Sequence, residues 1–190
     1  MKNRKEQIVN TATTFIKKYG YDSFSYKDLS ESIGITKATI HHHFPKKEDL
    51  GLTVCEQIRV KIFLAAEKKI SQLNTPKEKL EYVMNKFLTE IEKGEICPIS
   101  SLQAEYNILP NSMKEMVANL SEKENTYLCE ILKEGLADGS FQFSGSPRSM
   151  AIMIIAAYKG SLQYSRTMDD NIVNIVLEQI YKQIIKDHKA

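Results

Sequence analysis

Hydrogen-bonding side chains are concentrated in the short stretch from Thr36 to His42, where threonine, lysine and histidine residues follow one another closely. Hydroxyl, ammonium and imidazole groups of this kind bond to the edges of nucleic-acid bases and to phosphate oxygens. They can do so from a short helix whose N-terminal part enters the major groove of a double helix. The chemistry predicted for this stretch is therefore recognition of double-stranded nucleic acid.

Two short helices are predicted to hold this stretch in place. The first spans residues 26–33 after the N-cap residue Ser25, and the second runs from its own cap, Thr36, to about residue 43. Gly34 between them permits the positive φ of a tight turn. The apolar residues expected to lock the crossing of the two helices are Leu29, Ile33, Ile35 and Ile40. The pair is a candidate helix-turn-helix, although such pairs also occur as structural corners.

The rest of the sequence has the apolar spacing of helices almost everywhere. We predict an all-α fold of about nine helices, in which three short N-terminal helices are followed by longer ones. The predicted boundary divides the chain into residues 1–47 and residues 48–190. A long fourth helix is expected over residues 47–73, and two strongly apolar helices are expected over residues 148–166 and 169–188.

Composition and charge are those of an ordinary globular protein. The chain has 190 residues, with 26 Lys and Arg against 24 Asp and Glu. The basic excess lies at the N-terminal end, where residues 1–54 hold nine Lys and Arg and six Asp and Glu. That distribution suits an approach to phosphates. Three widely spaced cysteines form neither a disulfide framework nor a zinc pattern, so a reducing cytoplasm is expected.

Membrane, metal and cofactor sites are not expected. The most apolar run, residues 150–158, is about half of the ~20 residues that a membrane-spanning helix needs. The consecutive residues His41, His42 and His43 cannot converge on one metal ion, because neighbouring side chains on a helix point about 100° apart.

The run GYDSFSYKDLSESIGITKATIHHHFPKKEDL, residues 20–50, resembles the DNA-binding domain of the Tet repressor (TetR/AcrR) family of bacterial transcription regulators. The resemblance covers about residues 4–54. The positions that carry it are Gly20, Leu29, Gly34, Ile35, Thr36, His43, Phe44, Lys47, Glu48 and Leu50. It implies an all-helical homodimer, with an N-terminal three-helix helix-turn-helix DNA-binding domain and a C-terminal helical domain for ligand binding and dimerisation. Such a protein binds double-stranded operator DNA, usually as a repressor, and a small-molecule effector releases it.

The resemblance also implies which residues contact DNA. By position, it places phosphate contacts at Ser25 and Lys27 and at Lys47, near the start of the fourth helix. The recognition surface would comprise Thr36, Lys37, Ala38, Thr39, His41 and His42. Two residues depart from the family pattern, since His41 stands where tyrosine is usual and Phe24 replaces a common small polar residue.

The last two helices carry apolar side chains on nearly all sides, more than the core of one subunit needs. Ala156 and Gly160 stand four residues apart and allow a close helix approach. We therefore predict a four-helix bundle between two copies, with deep burial in a monomer as the alternative. The predicted interface residues are Ile152, Ile155, Ala156, Gly160, Ile172, Ile175, Val176 and Ile180.

An effector pocket is predicted from flexible, aromatic and polar side chains of the C-terminal domain, although such residues also form ordinary cores. The residues are Met84, Phe87, Ile91, Cys97, Leu102, Tyr106, Met116, Tyr127, Met153, Tyr158 and Gln163. Cys97 precedes a predicted helix start, where the helix dipole lowers a thiol pKa. It is either an oxidant- or electrophile-responsive thiol or a partly buried structural cysteine.

Two other functions remain as alternatives: an enzyme that uses a cavity in the C-terminal domain, and a helical adaptor that does not bind DNA. The sequence has no Ser-His-Asp or Cys-His arrangement, no phosphate-binding glycine loop and no spaced carboxylate pair with a partner base. We therefore expect no catalytic residues. The adaptor remains an alternative because His41 stands where the family usually has tyrosine at a DNA-contacting position.

Overall fold

The computed structural model describes residues 3–89, 95–169 and 171–186. The helices are α1 (Arg4–Tyr19), α2 (Tyr26–Ile33), α3 (Lys37–His43), α4 (Lys47–Ile58), α5 (Ala65–Ile70), α6 (Pro76–Thr89), α7 (Pro98–Ala104), α8 (Asn111–Ala137), α9 (Pro147–Ser165) and α10 (Ile172–Ile184). Within the described ranges, one isolated bridge between Phe141 and Ile185 is the whole β-structure. The all-α prediction is confirmed. The count of about nine helices is also confirmed, because α4 and α5 are joined without a break and count as one helix.

Between α4 and α5 the helix changes pitch, because Arg59–Leu64 forms a π-helical segment. The buried stripe of α4 continues as far as Ile58. In a uniform α-helix the next member of that stripe would be Ile62, but Ile62 is 37% exposed and Phe63 is buried instead. The wider π turn takes in an extra residue, so the side chains that follow are rotated about the helix axis.

The chain forms two compact units, each built from two stretches of sequence. The first unit comprises Met1–Phe63 and Ile96–Ser121, and the second comprises Leu64–Glu95 and Glu122–Ala190. This division differs from the predicted boundary after residue 47. The difference arises because α4 and α7 both pack against α1, so that both helices belong with the N-terminal ones.

Each unit has its own apolar core. In the first unit the largest fully buried side chains lie on α1 to α4, on α7, on the first part of α8 and directly after α3, and they include Ile8, Ile16, Leu29, Ile40, Phe44, Leu50, Leu102, Met113 and Leu120. In the second unit the core lies on α6, α8, α9 and α10, and it includes Leu80, Leu128, Leu132, Ile154 and Ile184. None of the helices in the described ranges combines the length and the apolar character that crossing a membrane requires.

Candidate nucleic-acid interface and effector region

A capping box fixes the start of α2. The Ser25 hydroxyl oxygen accepts hydrogen bonds from the backbone N–H groups of Lys27 at 3.2 Å and Asp28 at 3.4 Å. The Asp28 carboxylate in turn accepts bonds from the backbone N–H and the hydroxyl of Ser25, both at 2.7 Å. These bonds from Ser25 hold the pKa of the Asp28 carboxyl below its usual value. The predicted N-cap is therefore confirmed, and its hydroxyl is engaged in capping.

The turn and the start of α3 have the geometry that the sequence predicts. Gly34 has a φ of 73°, in the left-handed region that favours glycine. The Thr36 hydroxyl accepts a hydrogen bond from the backbone N–H of Thr39 at 3.2 Å and caps the helix. The two threonine hydroxyls also bond to each other at 2.9 Å. Thr36 and Thr39 thus form one polar pair at the N-terminus of α3.

Buried residues pin α3 to the rest of the first unit. The Tyr26 hydroxyl donates a hydrogen bond to the backbone carbonyl of Phe44 at 2.9 Å, which ties the start of α2 to the end of α3. Burial, together with the charge of Asp49, raises the pKa of Tyr26 to about 12, so the hydroxyl keeps its proton. Ile40 is fully buried, and the His41 ring lies edge-on to Tyr26 at 4.8 Å between centroids. The helix is therefore held on its inner side.

The outer side of α3 is open to solvent. Lys37, Ala38, His41 and His42 are exposed, whereas Thr39 is half-buried through its contact with Thr36. The predicted phosphate contacts on α2, Ser25 and Lys27, are exposed as well. The Lys27 ammonium lies 3.9 Å from the Glu31 carboxylate, in an ion pair that leaves both side chains largely solvated. Eight of the nine predicted DNA-binding residues thus lie on or next to the helix pair.

Lys47, at the start of α4, is partly buried, and its ammonium group binds the loop between α1 and α2. It donates hydrogen bonds to the backbone carbonyls of Phe24 at 2.5 Å and Asp22 at 3.4 Å. It also lies over the rings of Phe24 and Tyr21, at 4.5 and 4.8 Å from their centroids. Burial lowers the pKa of Lys47, and the nearby carboxylates of Asp22 and Glu105 oppose that effect. This placement engages the group that the family pattern assigns to a DNA phosphate.

The Glu105 carboxylate binds the backbone N–H groups of the same loop. Glu105 accepts hydrogen bonds from the backbone N–H of Tyr21 at 2.6 Å and of Asp22 at 3.3 Å. Lys47 and Glu105 together therefore satisfy both the carbonyls and the N–H groups of the loop between α1 and α2. We call this pair of residues the loop clamp. It fixes the loop directly before the capping box of α2.

Sequence reasoning missed the loop clamp for two different reasons. The signal for Lys47 was present, because Phe24 departs from the family pattern and its ring is one of the two beneath the ammonium group. For Glu105 no local signal exists, since its partners lie more than 80 positions earlier in the chain. The neighbouring α7 is anchored to α1 in the same way, with the Ser101 hydroxyl donating to the carbonyl of Ile16 at 2.6 Å.

The predicted effector residues are divided between the two units. The first unit contains Cys97, Leu102, Tyr106 and Met116, and the second contains Met84, Phe87, Tyr127, Met153, Tyr158 and Gln163. Ile91 lies outside the described residues. Cys97 is 6% exposed, as the alternative of a buried structural cysteine predicts.

Phe87 and Tyr158 are brought together between α6 and α9. Their rings stack with centroids 3.9 Å apart and planes 10° apart, and the Tyr158 hydroxyl donates to the Phe87 carbonyl at 3.2 Å. A shallow groove of about 230 Å³ between α6 and α10 is lined by Met84 but by no other predicted effector residue. Met153 and Gln163 are exposed, on the side of α9 away from the core, and their place in an effector pocket stays a prediction. The apolar pattern of α9 did not show which side faces the core.

The predicted interface residues divide between the surface and the core. Ile152 and Ile175 are 50% and 54% exposed, Ala156 is exposed, and Gly160, Ile172 and Val176 are partly buried. A Cβ atom at Gly160 would meet no atom of the described neighbouring elements within 4 Å. Ile155 and Ile180 belong to the core of the second unit, and their assignment to the interface stays a prediction. They lie on the inward sides of helices that are apolar on both sides.

Comparison with known proteins covers both parts of the chain. The family model for bacterial regulatory proteins, tetR family, matches residues 8–53, and the model for the tetracyclin repressor-like C-terminal domain matches residues 76–176. The TetR transcriptional regulator of Legionella pneumophila has a similar solved structure, with a TM-score of 0.86, 30% identity and coverage of 97% of this chain and 98% of that one.

Two further similar proteins are also transcription regulators. A TetR-family transcriptional regulator from Agrobacterium tumefaciens gives a TM-score of 0.89 at 26% identity, over 96% of this chain and 98% of that one. The HTH-type transcriptional repressor KstR2 of Mycolicibacterium smegmatis is 22% identical over 140 residues, which are 74% of this chain and 68% of that protein. The capped helix-turn-helix and both family matches lead to one conclusion: the chain belongs to the TetR family of bacterial regulatory proteins.

Proposed function

We propose that this chain is a transcriptional repressor that binds a pseudo-palindromic operator as a homodimer and leaves it when a small-molecule effector binds. The observation that carries the proposal is the exposed polar side of α3 on a helix pair that is capped and pinned from within. A helix held in this way can enter the major groove with fixed orientation. Similarity to the repressor KstR2 supports repression. A cytoplasmic location is part of the proposal, because the DNA target lies there.

Within this proposal, base contacts come from the polar side of α3. Thr36 and Thr39 offer hydroxyl groups, His41 and His42 offer ring nitrogens, and Ala38 offers a small apolar surface for a thymine methyl group. Phosphate contacts come from Ser25, Lys27 and Lys37. We infer that the exposed Lys46 takes the place of Lys47 as the phosphate contact near α4.

The alternatives of an enzyme or an adaptor without DNA binding are less well supported. The matched family is regulatory, and the residues predicted to read DNA form a surface that is solvent-exposed and preorganised. DNase I footprinting on the promoter region of the protein's own gene tests the proposal. We expect protection of one pseudo-palindromic segment, and uniform protection or none would contradict the proposal.

Two substitutions on α3 separate base reading from phosphate contact. Thr39→Ala removes a hydroxyl from the polar pair, so we expect about 1–3 kcal/mol less discrimination at one base pair in each half-site. Lys37→Ala removes a charge that carries no sequence information, so we expect weaker binding to operator and random DNA alike. Fluorescence anisotropy with both DNAs measures the two effects. Equal losses on operator and random DNA for Thr39→Ala would refute its assignment to base reading.

The homodimer is proposed to form through the exposed sides of α9 and α10. Ile152, Ala156 and Gly160 follow one another at four-residue spacing on α9, and Ile175 is exposed on α10. A glycine inside a helix costs about 1 kcal/mol relative to alanine, so its place in α9 needs a compensating use. Close approach of a second helix is such a use, and the open space beside Gly160 permits it.

A further inference from the structure

Asn125 on α8 is an unusual residue for the interior of the second unit. Its side chain is buried with 6% exposure, and neither its carbonyl oxygen nor its amino group has a hydrogen-bond partner among the described residues. Leu128 and Cys129, one helical turn later, belong to the apolar core, so Asn125 lies on the core-facing side of α8. An apolar residue of the same size would fill this position without the penalty of desolvating an amide.

Two other buried polar groups of the second unit have partners. The Glu124 carboxylate lies 2.6 Å from the Lys159 ammonium, in an ion pair with both side chains mostly buried. The Ser161 hydroxyl donates to the carbonyl of Tyr158 at 2.7 Å. The unpartnered hydroxyl of Tyr127 lies two residues further along α8, about 200° around the helix, and thus on another flank. Among the described residues Asn125 therefore has no hydrogen-bond partner, and native proteins rarely keep a buried amide in that state without a use.

We propose that the side-chain amide of Asn125 anchors the effector, and that the effector is an uncharged molecule carrying an amide, lactam or imide group. This inference rests on the proposed function. An asparagine side chain presents one acceptor and one donor side by side, which match the N–H and C=O groups of another amide.

Charge argues against an ionic effector at this position. The charged residue directly before Asn125 on α8, Glu124, forms an ion pair with Lys159, so its charge is balanced. A charged ligand would lose its hydration against an amide that offers no counter-charge. The apolar residues that surround the position on α8 favour a ligand whose remaining surface is apolar.

The proposal is tested first on the protein without effector. Asn125→Leu replaces the amide with an apolar group of similar volume, so we expect the Tm to rise by about 4–8 °C. Asn174→Leu, at an exposed position of α10, is the matched control and should change the Tm little. A fall in Tm for Asn125→Leu would show that the amide has a structural partner and would overturn the proposal.

Ligand binding is tested with benzamide, N,N-dimethylbenzamide and benzoate at millimolar concentration, by ligand-observed NMR and by the shift in Tm. We expect benzamide to bind the wild type and the Asn174→Leu control but not Asn125→Leu. N,N-dimethylbenzamide lacks the N–H donor and benzoate is charged, so both should bind at least tenfold more weakly. The proposal would be overturned if the wild type bound benzamide no better than the other two compounds. It would also be overturned if Asn125→Leu bound benzamide as well as the wild type does.

Operator binding separates this proposal from the proposed function. We expect Asn125→Leu to bind operator DNA as the wild type does. Asn125 belongs to the second unit, whereas α3, which carries the proposed base contacts, belongs to the first. If the wild type bound benzamide through Asn125 but showed no specific DNA binding, only the proposed repressor function would be refuted. Wild type that binds the operator but not benzamide would refute the amide site alone.

Discussion

Replacing Lys47 with methionine is expected to lower the free energy of unfolding of the first unit by about 3 kcal/mol. Methionine keeps an unbranched apolar side chain but leaves the carbonyls of Asp22 and Phe24 without their charged donor, and it removes both ring contacts of the ammonium group. A loss of this size lowers the Tm of a small domain by roughly 10–20 °C. Thermal unfolding followed by circular dichroism measures it.

Lys46→Met is the matched control. It removes the same charge from the preceding, exposed residue, so we expect the Tm to change by no more than about 4 °C and DNA binding to weaken. If Lys47→Met unfolded like the wild type and instead lost affinity for all DNA sequences, Lys47 would be the phosphate contact that the family pattern implies. The loop clamp would then not contribute to stability.

Gly160→Leu is expected to convert the dimer into monomers and to weaken operator binding by about 10²- to 10⁴-fold, the range lost when two linked contacts become independent. The new side chain projects into open space on the single chain, and leucine favours helix more than glycine does. The folded protomer should therefore be at least as stable as before, while close approach of the partner helix is blocked. Analytical ultracentrifugation and anisotropy titrations measure the two effects.

Asn174→Leu adds a side chain of the same kind to an exposed position of α10, on the flank that faces the groove with α6. It is expected to leave both the dimer and the operator affinity unchanged. Dimeric Gly160→Leu with normal DNA binding would show that the exposed side of α9 is not the interface.

The parts of the site that depend on local sequence were predictable. Ser25, Gly34 and Thr36 act through hydrogen bonds and backbone angles within four residues, so they specify the ends of α2 and the start of α3. Lys47 was predicted from position alone, because the rings and carbonyls that bind its ammonium group lie on a loop more than 20 residues away. Glu105 had no sequence signal at all.

The second unit was predicted less well because periodicity identifies a helix but not its surroundings. Ile152 and Ile155 are both isoleucines of α9, yet one is half exposed and the other is buried in the core. Met153 and Gln163 were assigned to a pocket and lie on the surface for the same reason. The side of an apolar helix that faces the core depends on contacts between elements, which a single sequence does not encode locally.

The most direct test of the account is the salt dependence of binding to the protected promoter segment. Lys27, Lys37 and Lys46 of each protomer are expected to meet phosphates, and each contact contributes about −0.9 to the slope of log K against log salt concentration. A dimer should therefore give a slope of about −5, with tighter binding to the operator than to random DNA at every salt concentration. A slope near zero, or equal affinity for operator and random DNA, would contradict the account.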